Sequence, residues 1–321
     1  MNSKMKKENI FKRFTQVSES NLIIIMVALI LTLWLLNDKF LSFNNITNLL
    51  RQTAIIGVLA VGMTFVILSG GIDLSVGSVL AFSSILASKF MVAGLPVWIS
   101  ITLALFAGAI IGAFMGIIIH KGKVPAFIAT LGGMTIVRGL VMLICNARKV
   151  MGLPEVIGDF AVNRYLGIPA MAYVWLLMII IGWFVSKYTV FGRNIYAIGS
   201  NTEAARLSGI KIGINICGIY AFSAFMSSVA GILMTARLGN GVPTAGQGYE
   251  LDAIAAVVVG GGSLNGAVGS IPGTVLGTVI IASIRNGGTL VGINPFILDI
   301  SVGSLIVIAV LIDQLRKNKT T

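Results

Sequence analysis

Long apolar runs, separated by short polar or glycine-rich stretches, occupy most of the chain. A helix needs about 20 mostly apolar residues to cross the hydrocarbon core of a bilayer, and most of these runs approach that length. We therefore predict an all-α integral membrane protein of about ten transmembrane helices, several of them short or broken by glycine. The predicted spans are 22–36, 53–70, 76–94, 96–119, 125–145, 168–188, 213–236, 251–262, 270–288 and 295–313.

Composition excludes a soluble globule. Hydrophobic residues make up 56% of the 321 residues and charged residues 11%, against about 25% charged in an ordinary soluble domain. With a mean hydropathy of +0.97, the outer surface must face lipid. The predicted organisation is a cytoplasmic tail at 1–20, a transmembrane domain at 21–313 that includes a polar segment at 189–212, and a cytoplasmic tail at 314–321.

The distribution of basic residues supports this topology. If the N-terminus lies inside, ten spans place fourteen of the 23 lysines and arginines at inner segments or helix ends, six at outer segments and three within spans. Inner loops of membrane proteins carry such an excess, and the loss of one span would break the agreement. The net charge of +12 therefore indicates membrane sidedness, and we expect no nucleic-acid partner.

A weak internal repeat links two parts of the chain. Val66–Ala81 resembles Val258–Leu276, because each ends a span in a glycine cluster, turns through polar or small residues and starts a new helix at Gly-Ser. Glycine-broken helices at repeated positions line the substrate path in many transporters, although a chance similarity is the alternative. Both turns fall on the predicted inner side, where the candidate inner-mouth residues are Asp73, Ser75, Ser263 and Asn265.

No motif in the sequence indicates an enzymatic function. The chain has no G-x-x-x-x-G-K-[ST], G-x-S-x-G or H-E-x-x-H sequence, and its only histidine is His120. We expect no catalytic residue, no metal site and no cofactor. If ATP drives transport here, a separate chain must hydrolyse it.

The segment 192–210 is the longest polar stretch on the predicted inner side. Asn201 is a good N-cap and Ser208-Gly209 a good stop signal, so a helix of about two turns is predicted from Asn201 to Ser208. It is either part of a plain loop or a lever that presses on a partner protein. In the second case the small Ala204 and Ala205 would allow close approach and Glu203 and Arg206 would add rim contacts. The candidate coupling residues are Asn201, Thr202, Glu203, Ala204, Ala205, Arg206, Leu207, Ser208 and Gly209.

Several polar side chains near helix starts have two interpretations. Asp73 either caps the helix that begins near Ser75 or contacts a gate or an ATPase. The start of the eighth span is also polar: two carboxylates suit a helix N-terminus, whereas hydrogen-bonding groups at an outer mouth suit a sugar or a docked binding protein. These outer-mouth candidates are Gln247, Tyr249, Glu250 and Asp252.

Charges within spans need partners. Arg138 and Asp299 both lie inside predicted spans, and pairing of these two residues is one option.

Four segments carry a resemblance to a known family. They are GIDLSVGS (71–78), AFIATLGGMTIVRG (126–139), GRNIYAIGSNTEAARLSGI (192–210) and PTAGQGYELDAIAAVVVGGGSLNGAVGSIPGT (243–274). In this order they resemble the permease subunits of bacterial ABC importers for ribose and related monosaccharides, and the resemblance runs from about Phe40 to the C-terminus. Branched-chain amino acid permeases are more distant relatives.

The resemblance implies a type II ABC importer-like permease in the inner membrane of a bacterium. Such a subunit dimerises, with itself or with a related permease, receives sugar from a periplasmic binding protein and is driven by ABC ATPase subunits. The segment 192–210 matches the part of the family that contacts the ATPase. A stand-alone secondary transporter or channel is the alternative, but it would need intramembrane carboxylates for ion coupling, and Asp299 is nearly the only candidate.

Overall fold

The computed structural model describes residues 19–317, and side chains for residues 20–311. Each predicted span corresponds to a helix, and three further helices lie between them. The helices are α1 Glu19–Leu36, α2 Phe43–Leu68, α3 Val76–Val92, α4 Val97–Lys121, α5 Ala126–Cys145, α6 Glu155–Val162, α7 Ala170–Tyr188, α8 Val190–Ser200, α9 Thr202–Leu207, α10 Ile212–Leu238, α11 Tyr249–Val259, α12 Ile271–Val291 and α13 Pro295–Lys317. The predicted tails fall largely outside the described residues.

The helices differ in their capacity to cross a membrane alone. Six of those described are long and apolar enough, namely α2, α4, α5, α7, α10 and α12, and shorter apolar helices occupy Ser20–Leu36, Val76–Val92 and Pro295–Leu311. The tenth, α11, has 11 residues and at about 1.5 Å per residue reaches only partway across a bilayer. The prediction of an all-α membrane protein with about ten helices, some of them broken, is confirmed.

The stretch between α5 and α7 has structure that the sequence pattern did not indicate. It contains the short helix α6 and a two-stranded antiparallel hairpin, β1 Arg164–Tyr165 and β2 Ile168–Pro169. A short 3-10 helix, Asp38–Leu41, joins α1 to α2. These elements are too short to produce a periodic hydrophobic signal, which needs a window of about 11–18 residues.

The bundle is built around α2 and α10. Over its most apolar 18 residues, α2 is 83% buried, whereas the corresponding window of α5 is 22% buried. The outer helices expose large apolar side chains, such as Phe106, Leu143 and Phe184. A protein that buries its central helices and exposes aromatic and aliphatic side chains around them has lipid as its solvent.

Small residues allow α4 and α10 to pack closely. Gly108, Gly112 and Gly116 recur every fourth residue on one face of α4, which is the small-xxx-small pattern of tight membrane helix pairs. A Cβ at Gly112 would overlap the carbonyl oxygen of Tyr220, and one at Gly108 would overlap the hydroxyl of Ser228. The helix contact therefore brings one backbone directly against the other.

Two helices begin inside the bundle rather than at its ends. After α2, residues 69–75 run alongside α10 before α3 starts. After α10, the chain pairs Gly241 with Val150 through two backbone hydrogen bonds of 2.9 Å and then returns inward, so that α11 starts after Gly248 at a φ of +83°. The starts of α3 and α11 meet where Gly77 lies against the Gly246 carbonyl.

Candidate functional site

The start of α3 is held by a buried carboxylate. Asp73 Oδ1 accepts hydrogen bonds from the Ser75 backbone N–H (2.9 Å) and hydroxyl (2.6 Å), and Oδ2 accepts one from the Ser223 hydroxyl on α10 (2.9 Å). Ser75 occupies the N-cap position of α3 and makes no side-chain capping hydrogen bond. Asp73 is therefore not the predicted N-cap but lies two residues earlier and holds Ser75 in place.

The placement of these residues at an inner mouth needs correction. Asp73 is 1% exposed and Ser75 is 2% exposed. Because Asp73 bonds to Ser223 on α10, the pair lies buried within the bundle and is not exposed at a mouth. Of the other two predicted inner-mouth residues, Ser263 is buried and Asn265 is exposed.

Arg138 on α5 ties the two broken helices together. Its Nη1 donates to the carbonyl oxygens of Pro243 (2.7 Å) and Ala245 (3.0 Å), and its Nη2 donates to that of Gly77 (3.2 Å). A guanidinium presents five donors in a fixed plane and suits several carbonyls at once. The suggested pairing of Arg138 with Asp299 is wrong, because carbonyl groups fill its donor positions.

The partner of Asp299 is Arg285, which also holds Asp252. Arg285 Nη2 lies 2.6 Å from Asp252 Oδ1, and Nη1 lies 2.9 Å from Asp299 Oδ1. Asp252 is fully buried, and a buried carboxylate requires a nearby counter-charge. Asp252 therefore joins α11 to α12 and is not an outer-mouth residue, which corrects its assignment. The sequence feature that could have indicated this ion pair is Arg285, an arginine inside a predicted span.

The other outer-mouth candidates remain accessible. Gln247 is exposed, and Tyr249 and Glu250 are half-buried. Glu250 Oε1 accepts a hydrogen bond from the Gly248 backbone N–H at 3.1 Å. These three residues lie beside Gly77 and Gly246, at the point where α3 and α11 begin. They form a polar group at the junction of the two broken helices.

At the opposite end of α11, the two copies of the sequence repeat contact each other. The Ala267 backbone N–H donates to the Leu68 carbonyl at 2.9 Å. Gly199 of α8 lies against both groups, so that a Cβ there would overlap the Leu68 carbonyl oxygen. In addition, the Tyr196 hydroxyl of α8 donates to the Gly269 carbonyl at 3.0 Å, and burial raises the pKa of Tyr196. Helix α8 is thus bound to both glycine-rich turns.

The segment 192–210 forms two helices rather than one. As predicted, Asn201 caps α9, accepting a hydrogen bond from the Ala204 backbone N–H at 2.9 Å, and the chain leaves the helix at Ser208 and Gly209, where φ is +85°. Helix α8, which precedes this cap, was not predicted from the sequence. Its amphipathic pattern, with Gly192, Ile195 and Ile198 buried, was the available signal.

The exposed face of α9 differs from the expected one. Ala205 is 4% exposed and packs against its own chain, whereas Leu207 is 79% exposed. Arg206 and Glu203 form an exposed ion pair at 2.9 Å. Since Ala205 faces inward, the prediction that Ala205 closely approaches a partner protein is wrong. The apolar side chain that α9 exposes is Leu207.

No group of three or more metal-ligating side chains occurs among the residues that the structure describes. The described carboxylates near the centre bond instead to serine, arginine or backbone groups. Broken helices that meet around polar groups inside an apolar bundle are typical of membrane transport proteins.

Comparison with known proteins identifies the family. Residues 45–312 match the family described as the branched-chain amino acid transport system permease component, and the chain belongs to this family. It is 46% identical over 291 residues to the ribose import permease of Bacillus subtilis, covering 90% of both chains. It is 41% identical over 300 residues to that of Haemophilus influenzae, covering 92% of this chain and 93% of the relative.

A third relative widens the range of named sugars. The chain is 35% identical over 375 aligned positions to the xylose transport system permease of Escherichia coli, covering 96% of this chain and 95% of the relative. No solved structure matches the chain. The resemblance carried by the four motifs is confirmed, and the chain is a multi-pass permease of the bacterial inner membrane.

Proposed function

We propose that this chain is the permease subunit of an ATP-driven importer for ribose or a related monosaccharide. The observation that carries the proposal is the 40–46% identity, over about nine-tenths of the chain, to proteins named ribose import permeases. The sugar arrives from a periplasmic binding protein, and ATP is hydrolysed by a separate ATPase subunit. This chain supplies the path through the membrane.

A stand-alone transporter is less well supported. Ion-coupled transporters use intramembrane carboxylates that are free to bind and release a cation. Here Asp252 and Asp299 share Arg285, and Asp73 accepts three hydrogen bonds. None of the three is free for that role.

We further propose that two permease copies form the path, as the resemblance of the four motifs implies. A pairing with a related permease is the alternative. The mass of the complex purified with its ATPase would distinguish them, because a homodimer contains two copies of this chain.

Coupling to the ATPase is assigned to α9 and its flanking residues, from Asn201 to Gly209. Leu207→Asp should reduce co-purification of the ATPase by roughly thirtyfold, because burial of a leucine side chain against a partner contributes about 2 kcal/mol. Sugar-stimulated ATP hydrolysis in membranes should fall in parallel. Binding of sugar to the isolated binding protein should not change.

The matched control is Leu166→Asp. Leu166 is 98% exposed but lies in the turn of the β1–β2 hairpin, on the side opposite to α9. It should leave ATPase co-purification at the wild-type level. If Leu207→Asp and Leu166→Asp both assemble normally, the α9 segment is an ordinary loop. Ala205→Trp is not an equivalent probe, because Ala205 is buried within its own chain.

The sugar path is assigned to the polar group at the junction of α3 and α11, with Gln247, Tyr249 and Glu250 as its candidates. Gln247→Ala should lower sugar uptake into vesicles about fivefold, since a hydrogen bond to the passing sugar contributes about 1 kcal/mol. Assembly with the ATPase should be unchanged. Asn44→Ala, an exposed amide on α2, is the control, and equal uptake by the two variants would remove Gln247 from the path.

A further inference from the structure

Three arginines gather at the outer end of the bundle. Arg51 lies near the start of α2, Arg164 in β1 and Arg237 in the last turn of α10, and Arg51 is within reach of the charges of the other two. Arg51 Nη2 donates to the Val162 carbonyl at 3.3 Å. We call Arg51, Arg164 and Arg237 the outer arginine cluster.

The outer arginine cluster lacks an acidic partner. Among residues 20–311, none of its three members forms an ion pair; those present involve Arg206 and Arg285. The Nε of Arg51 is buried and has no hydrogen-bond partner. Three neighbouring guanidinium groups without a carboxylate attract an anion, and phosphate oxygens match the guanidinium fork.

An apolar cleft lies at the same end of α10 as Arg237. Its volume is about 320 Å³, and every residue that lines it is apolar. Its walls come from α4 and α7, its floor from α10 and its roof from α6; representative residues are Ile101, Val174, Ile232 and Phe160. Ala236, which also lines the cleft, is the residue before Arg237.

The cleft continues to the hairpin that carries Arg164. A second apolar hollow is lined by Phe160, Tyr165 and Leu166, and it shares Phe160 and Val174 with the cleft. Nearby side chains on both walls face outward, since Trp98 on α4 and Leu177 on α7 are exposed. An apolar surface therefore extends from the cleft to residues that are next in the chain to Arg164 and Arg237, and the exposed side chains beside it face lipid.

We propose that this cleft binds one acyl chain of an anionic phospholipid from the outer leaflet, with its phosphate on the outer arginine cluster. Hydrocarbon matches a cleft with no polar lining, and the lipid phosphate matches cations without carboxylates. A headgroup with net negative charge should be preferred over a zwitterionic one, because each arginine adds attraction to anionic lipid.

The direct test is native mass spectrometry of the purified full-length permease in neutral detergent. Dioleoyl-phosphatidylglycerol and dioleoyl-phosphatidylcholine are titrated separately. The wild-type chain should retain phosphatidylglycerol about thirtyfold better, since Arg164 and Arg237 would each contribute about 1 kcal/mol to binding of an anionic headgroup. In Arg164→Ala/Arg237→Ala the preference should fall close to one, while chain binding in the cleft persists.

Filling the cleft should abolish retention of both lipids. Ile232→Trp and Ile101→Trp introduce an indole from the floor and from one wall, so a folding defect in one leaves the other as a test. The control is Ile110→Trp, also on α4 but 66% exposed to lipid, which should bind as the wild type does. Size-exclusion profiles report whether each variant is folded.

Three results would overturn the proposal. One is equal retention of the two lipids by the wild type. Another is retention of phosphatidylglycerol by both folded cleft-filling variants. The third is unchanged lipid preference in the double arginine variant together with loss of docking of the binding protein, which would assign the arginines to an acidic protein surface instead.

Discussion

Replacement of Arg285 by methionine should destabilise the protein by about 3–5 kcal/mol, the usual cost of leaving one member of a buried ion pair without its partner. Asp252 is fully buried between α11 and α12, and its Oδ1 accepts hydrogen bonds from both Nε and Nη2 of Arg285. Its Oδ2 has no hydrogen-bond partner even in the native structure. Thermal unfolding of the detergent-solubilised permease should show the loss.

Two further variants distinguish the buried ion pair of Arg285 with Asp252 from the exposed ion pair of Arg285 with Asp299. Asp299→Asn removes a carboxylate whose side chain is 61% exposed and should cost no more than about 1 kcal/mol. The double variant Arg285→Met/Asp252→Leu removes both buried charges and should recover most of the stability lost in Arg285→Met. If Arg285→Met unfolds at the same temperature as Asp299→Asn, the buried pair does not hold α11 to α12.

Replacement of Gly199 by valine should strongly reduce transport. A Cβ at Gly199 would overlap the Leu68 carbonyl oxygen and lie 2.8 Å from the Ala267 backbone nitrogen, the two atoms whose hydrogen bond joins the glycine-rich turns. Since these are backbone atoms, no side chain can move aside, and α8 itself must shift. We expect sugar uptake to fall at least fivefold, and more than a hundredfold at the upper limit, because overpacking typically costs about 1–3 kcal/mol.

The control for this effect is Gly132→Val on α5. A Cβ at Gly132 meets nothing within 4 Å, and both glycines are helical, so the change in helix propensity is similar. Uptake by Gly132→Val should stay close to that of the wild type. Normal uptake by Gly199→Val would show that α8 does not depend on its contact with the two turns.

The sequence predicted the helices well because one physical requirement determines them. Backbone groups in lipid must bond within their own segment, so each apolar run of sufficient length becomes a helix. The Asn201 cap and the Gly209 stop were predictable for a similar reason, since they are local contacts within four residues. The short helix α6 and the hairpin lacked such a signal.

Other features depended on residues far apart in the chain. The partner of Asp299 could not be chosen from the sequence, because Arg138 and Arg285 both lie in spans and only the packing of α5, α12 and α13 decides which guanidinium is near. In the same way, burial of Asp73 follows from the return of the chain alongside α10, a path that local pattern does not encode.

By itself, then, the sequence determined the membrane environment, the helix positions and the capped α9 segment, because these follow from local hydrophobicity and from hydrogen bonds between near neighbours. Only the tertiary structure decided that Ala205 faces inward and Leu207 outward, that Asp252 belongs to an ion pair and not to the outer mouth, and that Arg51 is within reach of the charges of Arg164 and Arg237. Each of these depends on which helix faces interlock, and that outcome is set by shape and charge complementarity between segments separated by up to 186 residues, the distance from Arg51 to Arg237.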